Sequence, residues 1–449
     1  MLMVFQASQA QCWQSVSVGY SHVVAVAING TLWAWGMNHF GQLGDGTQLS
    51  RTTPIQIGTD TDWKTVSAGS GPTSFNLALK TNNTLWSWGS NTYGQLGDGT
   101  FTHQFTPVPV GTDTNWNSIS AGYSHALATK TNGTLWSWGN SEYYALGYGN
   151  GYGEGFHKNT PTQIGTLTTW KAVSAADRYS LALKIDGTVW GWGYNSGNPI
   201  GLNTGLYIMT PQQRSYNNTG VKAISAGGNH SFDSKTSNNL LVTWGSYVYG
   251  QTGGTTCAGC PVYYVKQFDC GDDTSAIIKT DGTLWYTGKK LGYTEPTVQY
   301  TSDFLALSTA TNWKSISVGN QSGAAIDLNG AMWTWGWNTH GQLGIGTSGS
   351  NTHSLTLVPV SCIGVLTNST YKTASLFGLY PNPVLQELTI QNPTDTIITH
   401  IRIYDMMGKL LINAPYMGNT VNVTQLSAGL YVLQLEHEGN IDRIPFVKK

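Results

Sequence analysis

One short pattern constrains this chain more than any other, Trp-x-Trp-Gly on a β-rich run preceded by Thr-Leu. It stands at Thr31-Leu32-Trp33-Ala34-Trp35-Gly36 and returns with its first Trp at 86, 136, 190 and 333. Two degraded copies, Leu241-Val242-Thr243-Trp244-Gly245 and Thr283-Leu284-Trp285-Tyr286-Thr287-Gly288, fill the gap before the last. The seven copies recur about every 50 residues, a period that marks solenoids and propellers. Each is flanked by the same grammar. Upstream comes Trp, a β-branched residue, Ser, a small residue and Gly, as in Trp13 to Gly19 and Trp116 to Gly122. Next is an apolar run, then an Asn-Gly or Asp-Gly dipeptide such as Asn29-Gly30 or Asp186-Gly187. Such a dipeptide between β runs signals a hairpin, because both turn residues need positive φ. Downstream comes Gly-Gln-Leu-Gly (41–44, 94–97, 341–344) and a strand led by Pro, as at Pro54 and Pro107. One unit is therefore about four short strands, the content of a propeller blade.

These repeats resemble those of the regulator of chromosome condensation family, a seven-bladed β-propeller, over residues 12–362. The expected fold class is all-β: a seven-bladed β-propeller followed by a small Ig-like β-sandwich. Units five and six depart from the pattern, since both lack the upstream Trp. With 10% charged residues, a net charge of −1 and no basic run, the composition argues against a nucleic-acid partner. No apolar stretch reaches the length of a transmembrane helix. Residues 1–11 read as the remnant of a secretory signal.

After Val360 the repeats stop. Residues 363–377 read as a linker, and alternating runs through Leu435 predict a second, all-β domain at 378–449. Its landmarks are Tyr380-Pro381-Asn382-Pro383, Gly408-Lys409, Gly429 with Tyr431, and the basic end at Lys448. They resemble the C-terminal sorting domain of type IX secretion cargo. The resemblance implies the secretion machinery as a partner of residues 378–449, and a chain that passes the periplasm to be secreted or held at the outer cell surface.

No residue set supports catalysis. Gly-x-Ser-x-Gly, a P-loop and His-Glu-x-x-His are all missing, and Asp45 and Asp98 belong to turn sequences. The expectation is a protein that is not an enzyme, with no cofactor and no metal. Most tryptophans fall in register as core; Trp337 is the extra one, free for a surface role. His22, His125 and His230 occupy one repeat position in different blades, too far apart for one metal ion. They are expected to hydrogen-bond within their own blades and to join a binding rim. Cys257, Cys260 and Cys270 suggest a disulfide with one thiol left over, and Cys12 with Cys362 suggests a disulfide across the ring closure.

The working face is expected to carry the turns after each Ser-Val/Ala-Gly, which vary while the strands repeat. Its candidate residues are Tyr20, His22, Tyr123, His125, Asp177, Arg178, Tyr179, His230, Asp272 and Asp273. The rival location is the set of Gly-Gln-Leu-Gly loops. The function expected is a secreted or surface protein that binds a protein partner. A glycan-binding or adhesion module is the alternative, and a polysaccharide-active enzyme on the same scaffold a more distant one.

Overall fold

The computed structural model describes residues 13–149, 155–203, 205–215, 219–254, 263–289, 300–349, 352–360, 377–392, 397–405, 410–416, 418, 420–437 and 440–449. Outside them lie the signal remnant, the linker up to residue 376, Cys12, Cys257, Cys260, Cys362, Gly408 and Lys409. The chain divides into two compact units near residue 365.

The first unit holds seven antiparallel sheets, each built from one contiguous stretch of sequence. Blade one is Trp13–Val18, His22–Ala27, Leu32–Gly36 and Arg51–Ile57, paired in that order. Blades two, three, four, six and seven repeat the arrangement, and blade five has three strands among the described residues. Pro54 and Pro107 sit inside their strands rather than at the start. They are tolerated because the strand is the outer edge of its sheet, where a missing donor faces no neighbour.

The repeat grammar is a list of joints. In five of the seven motifs the first Trp donates its indole N–H to the Thr two residues before it, as in Trp33 to Thr31 at 2.8 Å, Trp136 to Thr134 at 2.8 Å and Trp285 to Thr283 at 2.7 Å. The second Trp reaches the preceding blade, donating to the backbone carbonyl inside its Gly-Gln-Leu-Gly loop. Trp88 bonds Gln42 at 3.0 Å, Trp138 bonds Gln95 at 2.9 Å, and Trp35 closes the circle on Gln342 at 3.0 Å. This second Trp is fully buried in blades one to four and nearly so in blade seven, whereas the first is half-buried in most copies. The upstream Trp packs edge-on against the first, as in Trp63 on Trp86 with ring centroids 5.7 Å apart.

A second set of joints circles the central shaft. The Ser of each innermost strand accepts the backbone N–H of the next blade: Ser17 from Ala68, Ser67 from Ala121, Ser120 from Ala175, Ser174 from Ala226 and Ser225 from Cys270, all 2.9–3.0 Å. In blade six Asp269 replaces the Ser and accepts from Val318 at 2.8 Å; Ser317 then accepts from Val18 at 3.0 Å. The circle of seven is complete. Ser120→Ala should cost about 1 kcal/mol in a urea titration, the lower end for a lost hydrogen bond, because the shaft beside it has room for water to replace the acceptor.

The second unit is a sandwich of a three-stranded and a four-stranded sheet. Its own core includes Val384, Leu388, Ile403, Val423, Leu433 and Phe446. The Tyr431 hydroxyl donates to the Ser427 carbonyl at 2.8 Å, fixing the corner before the strand Gly429–His437. Two landmarks far apart in sequence meet here. Asn382 of the Tyr-Pro-Asn-Pro run accepts the backbone N–H of Val447, next to Lys448, at 2.9 Å.

Candidate functional face

Four antiparallel strands per blade decide which loops share a face. The turn between the first and second strands and the loop between the third and fourth emerge at the same end. The turns around Tyr20 and Tyr123 and the Gly-Gln-Leu-Gly loops are therefore one surface, not rival ones. One well on it is lined by Tyr93, Tyr123, Glu142, Tyr143, Asp177 and Arg178, and another by Tyr20, Gln321, Trp337, His340 and Gln342. Their volumes are about 140 and 210 Å³. The shaft mouth, where Tyr123, Asp177 and Asp272 converge, encloses about 110 Å³. These are shallow wells rather than a deep small-molecule pocket.

Tyr20, Tyr123, Asp177, Arg178, Asp272 and Asp273 all reach solvent. Burial pushes the Asp177 carboxyl up to about 6, with Arg178 opposing and Asp272 adding to the rise. Burial, and then Asp272, carry Asp273 to about 6 as well, and Asp272 itself is raised by burial. Arg178 lies 3.3 Å from Asp177, with its guanidinium 4.9 Å above the Tyr143 ring. Tyr143 and Tyr144 both hold left-handed backbone, φ 58° and 61°. That conformation costs an aromatic residue on the order of 1 kcal/mol and clusters at binding sites.

Four of the expected face residues are not on the face. His22, His125 and His230 are 0%, 1% and 0% exposed. Each opens a second strand and points into the layer between blades, where its Nε2 meets the next blade: Asn76 Oδ1 at 2.7 Å, Ser180 Oγ at 2.9 Å and Ser275 Oγ at 2.6 Å. They thus join neighbouring blades rather than bonding within their own. Ser180 spends its own proton on the Ala145 carbonyl at 2.8 Å, so His125 must be the donor. The Asn76 Oδ1 acceptor likewise puts the His22 proton on Nε2. Burial pushes these histidines down to about 4, 4 and 3. The glycine before each turn makes room: a Cβ on Gly19 would sit 2.4 Å from the His22 ring. Tyr179 is the fourth. It takes the histidine position in blade four, is 1% exposed, and donates to the His230 carbonyl at 2.6 Å.

Cys270, one of the disulfide candidates, is a free and buried thiol. It packs in the layer between blades five and six with Phe232 and Phe268, and burial raises its pKa far above the usual thiol range. Among the described residues no group of three or more His, Cys, Asp or Glu could hold a metal ion.

Sequence reasoning missed an aromatic belt on this face. Phe40, Tyr93, Tyr143, Tyr249 and His340 all stand half-buried immediately before the first glycine of their loop or its equivalent, which in blade three is Tyr144. Phe40 meets His103, Tyr93 meets His157 and Tyr143 meets Tyr194, with centroids 5.0–5.8 Å apart. The repeated aromatic before that glycine was the available signal.

A family model described as RCC1-like domain matches residues 4–289, and two models of the regulator of chromosome condensation repeat match 313–342 and 329–369. A model described as secretion system C-terminal sorting domain matches 378–447. Among similar proteins, the ultraviolet-B receptor UVR8 of Arabidopsis thaliana is 25% identical over 356 residues, 74% of this chain and 79% of its own. The mitochondrial RCC1 domain-containing protein RUG3 of the same plant is 27% identical over 293 residues, 61% and 64% of the two chains. Of solved structures, human WBSCR16 superposes with a TM-score of 0.64 at 20% identity, covering 74% of this chain and 94% of that one. Prp20p of Saccharomyces cerevisiae gives 0.63 at 19%, covering 79% and 88%. The chain belongs to the RCC1-like domain family, and it carries a C-terminal sorting domain that directs type IX export to the cell surface or beyond.

Proposed function

We propose that the propeller binds a protein partner through the face that carries Tyr20, Tyr123, Arg178 and Trp337. The observation that supports this reading most is the surface itself. Aromatic rings and one guanidinium stand half-exposed around shallow wells, on a scaffold whose joints fix their positions. Tyr, Trp and Arg dominate the binding energy of protein interfaces because they cover much area with few internal rotations. Tyr143, whose ring lies beneath Arg178, holds left-handed backbone where Phe40, Tyr93 and His340 of the sister loops do not, a conformational cost particular to this blade. A protein displayed outside the cell with such a face suits recognition of other surface or secreted proteins.

The test begins with photo-crosslinking from position 123 on envelope extracts to identify the partner. With that partner in hand, Tyr123→Ala and Arg178→Ala should each weaken binding by about 1–2 kcal/mol without lowering the melting temperature. Ile185→Ala, at an exposed turn on the opposite end of the ring, should leave affinity unchanged. Loss of binding in the last variant with retention in the first two would place the interface on the other face.

A further inference from the structure

A lysine recurs at the end of the second strand, stacked on the paired tryptophans. Lys80 lies over Trp63 and Trp86, Lys130 over Trp116 and Trp136, and Lys184 over Trp170 and Trp190. All three are at least nine-tenths buried. A buried ammonium needs a counter-charge, and the first two have one. Asp60 is 2.6 Å from Lys80, with Asp62 at 3.0 Å, and Asp113 is 2.8 Å from Lys130. Asp60 and Asp113 come from the loop Gly-Thr-Asp-Thr that leads into the lysine's own blade (58–61 and 111–114). In the third copy, 165–168, the loop reads Gly-Thr-Leu-Thr, and Leu167 stands where the carboxylate should be.

Lys184 therefore makes no ion pair with any described residue. Burial lowers its pKa with only the exposed Asp186 opposing, whereas Lys80 is raised by its two acids despite its own burial. The anion position is accessible, since Asp60 and Asp113 expose about half of their side chains in the sister blades, as Leu167 does here. It also opens onto space. Leu167, 49% exposed, lines a cleft of about 530 Å³ between the outer parts of blades three and four, together with Trp170, Trp190, Thr162, Gln163, Thr210 and a second cation, Lys158; Lys184 borders it through the Trp170 and Trp190 rings on which it stacks. Part of that room comes from Thr162, which takes the strand position held by Ile55 and Val108 in blades one and two. The volume falls in the range of small-ligand sites.

We propose that this cleft binds an acidic saccharide, with a uronate carboxylate taking the position that Asp60 and Asp113 fill in the sister blades and Lys184 as its counter-charge. Charge complementarity selects an anion. The walls select the rest, because indole surfaces match the C–H face of a pyranose while the Gln163 amide and the Thr162 and Thr210 hydroxyls suit its rim of hydroxyl groups. The cleft runs along the side of the ring between the outer strands of blades three and four and shares no lining residue with the two wells of the Tyr123 face, so it stands or falls independently of the partner proposed there.

Calorimetric titration of the full chain with trigalacturonate, against galactotriose as the neutral control, tests the assignment. Trigalacturonate should bind saturably and at least tenfold more tightly than galactotriose. Lys184→Met should lose at least tenfold and Lys184→Arg should retain most of the affinity. The decisive variant is Leu167→Asp, which supplies the chain's own carboxylate as in the sister blades. It should fold with an unreduced melting temperature and also lose at least tenfold. Absence of saturable binding, equal binding of the neutral sugar, or undiminished affinity in a folded Leu167→Asp would each overturn the proposal. Lys184-dependent binding of the peptide N-acetyl-Gly-Thr-Asp-Thr-amide without binding of trigalacturonate would overturn the saccharide in favour of an acidic peptide.

Discussion

Deleting residues 378–449 should abolish delivery to the cell surface while leaving a folded propeller behind. The sorting domain is a separate unit with its own core, drawn entirely from residues between Phe377 and Phe446. Removing it takes away none of the indole, serine or histidine joints that hold the seven blades. In a host with type IX secretion, behind a signal peptide, the shortened chain should accumulate in the periplasm. Its thermal transition should match that of the propeller in the intact protein. Cell fractionation with surface proteolysis reads the outcome, and surface exposure of the truncated chain at the level of the full one would refute the role given to this domain.

The second large effect concerns acid. Each buried histidine is neutral in the folded ring and free to take a proton when unfolded, near the ordinary value of 6.5. A folded value depressed to about 4 means its contribution is intact above 6.5 and is lost as pH falls from 6.5 towards 4. Over that window the loss is roughly 3 kcal/mol per histidine, from about 1.4 kcal/mol for each pH unit. Asp177, Asp269 and Asp273, pushed up to about 6, act in the opposite sense, binding protons more readily when folded and gaining stability as pH falls through 6. Whole-protein stability thus changes less than either set alone, and a variant is needed to separate them. His125→Gln cannot titrate. In urea titrations it should be less stable than the native protein at pH 8, by about 1–2 kcal/mol for the disturbed Ser180 contact. Between pH 8 and pH 5 it should then gain roughly 2 kcal/mol on the native protein. A difference that stays constant with pH would mean that His125 is protonated alike in both states.

Much of the propeller was legible because its sequence grammar spells out contacts. Thr31 is there to receive the Trp33 indole, and the glycine-rich loop exposes the Gln42 carbonyl to Trp88. Patterns that encode a bond recur unchanged and are easily seen. The face was only half legible. Tyr20, Tyr123 and Arg178 reach solvent as the turn pattern suggests, but His22, His125, His230 and Tyr179 turn inward. The turn sequence does not reveal that direction; it follows from the packing of one sheet on the next, and from the space the glycine leaves. The shared surface of the two loop sets follows from counting four antiparallel strands per blade, a step that turn variability alone does not supply. Lys184 is the reverse case. Leu167 in place of Asp60 and Asp113 is plain in the alignment of repeats, yet it acquires meaning only when the lysine is seen above the tryptophans.

Every blade is contiguous in sequence, and the joint between the seventh and the first uses the same bonds as the others. Val18 donates to Ser317 as Ala68 does to Ser17, and Trp13 donates its backbone N–H to the Gly330 carbonyl at 3.0 Å as Trp63 does to Gly30 at 3.1 Å. The ring therefore has no seam. Among the described residues no strand is lent from one end of the chain to complete a blade begun at the other, so order along the polypeptide is incidental to the assembled circle. A chain rewritten to begin at any blade boundary would meet the same neighbours in the same sequence. Each interface is then free to change alone, as blades five and six have done, while the other joints keep the circle closed.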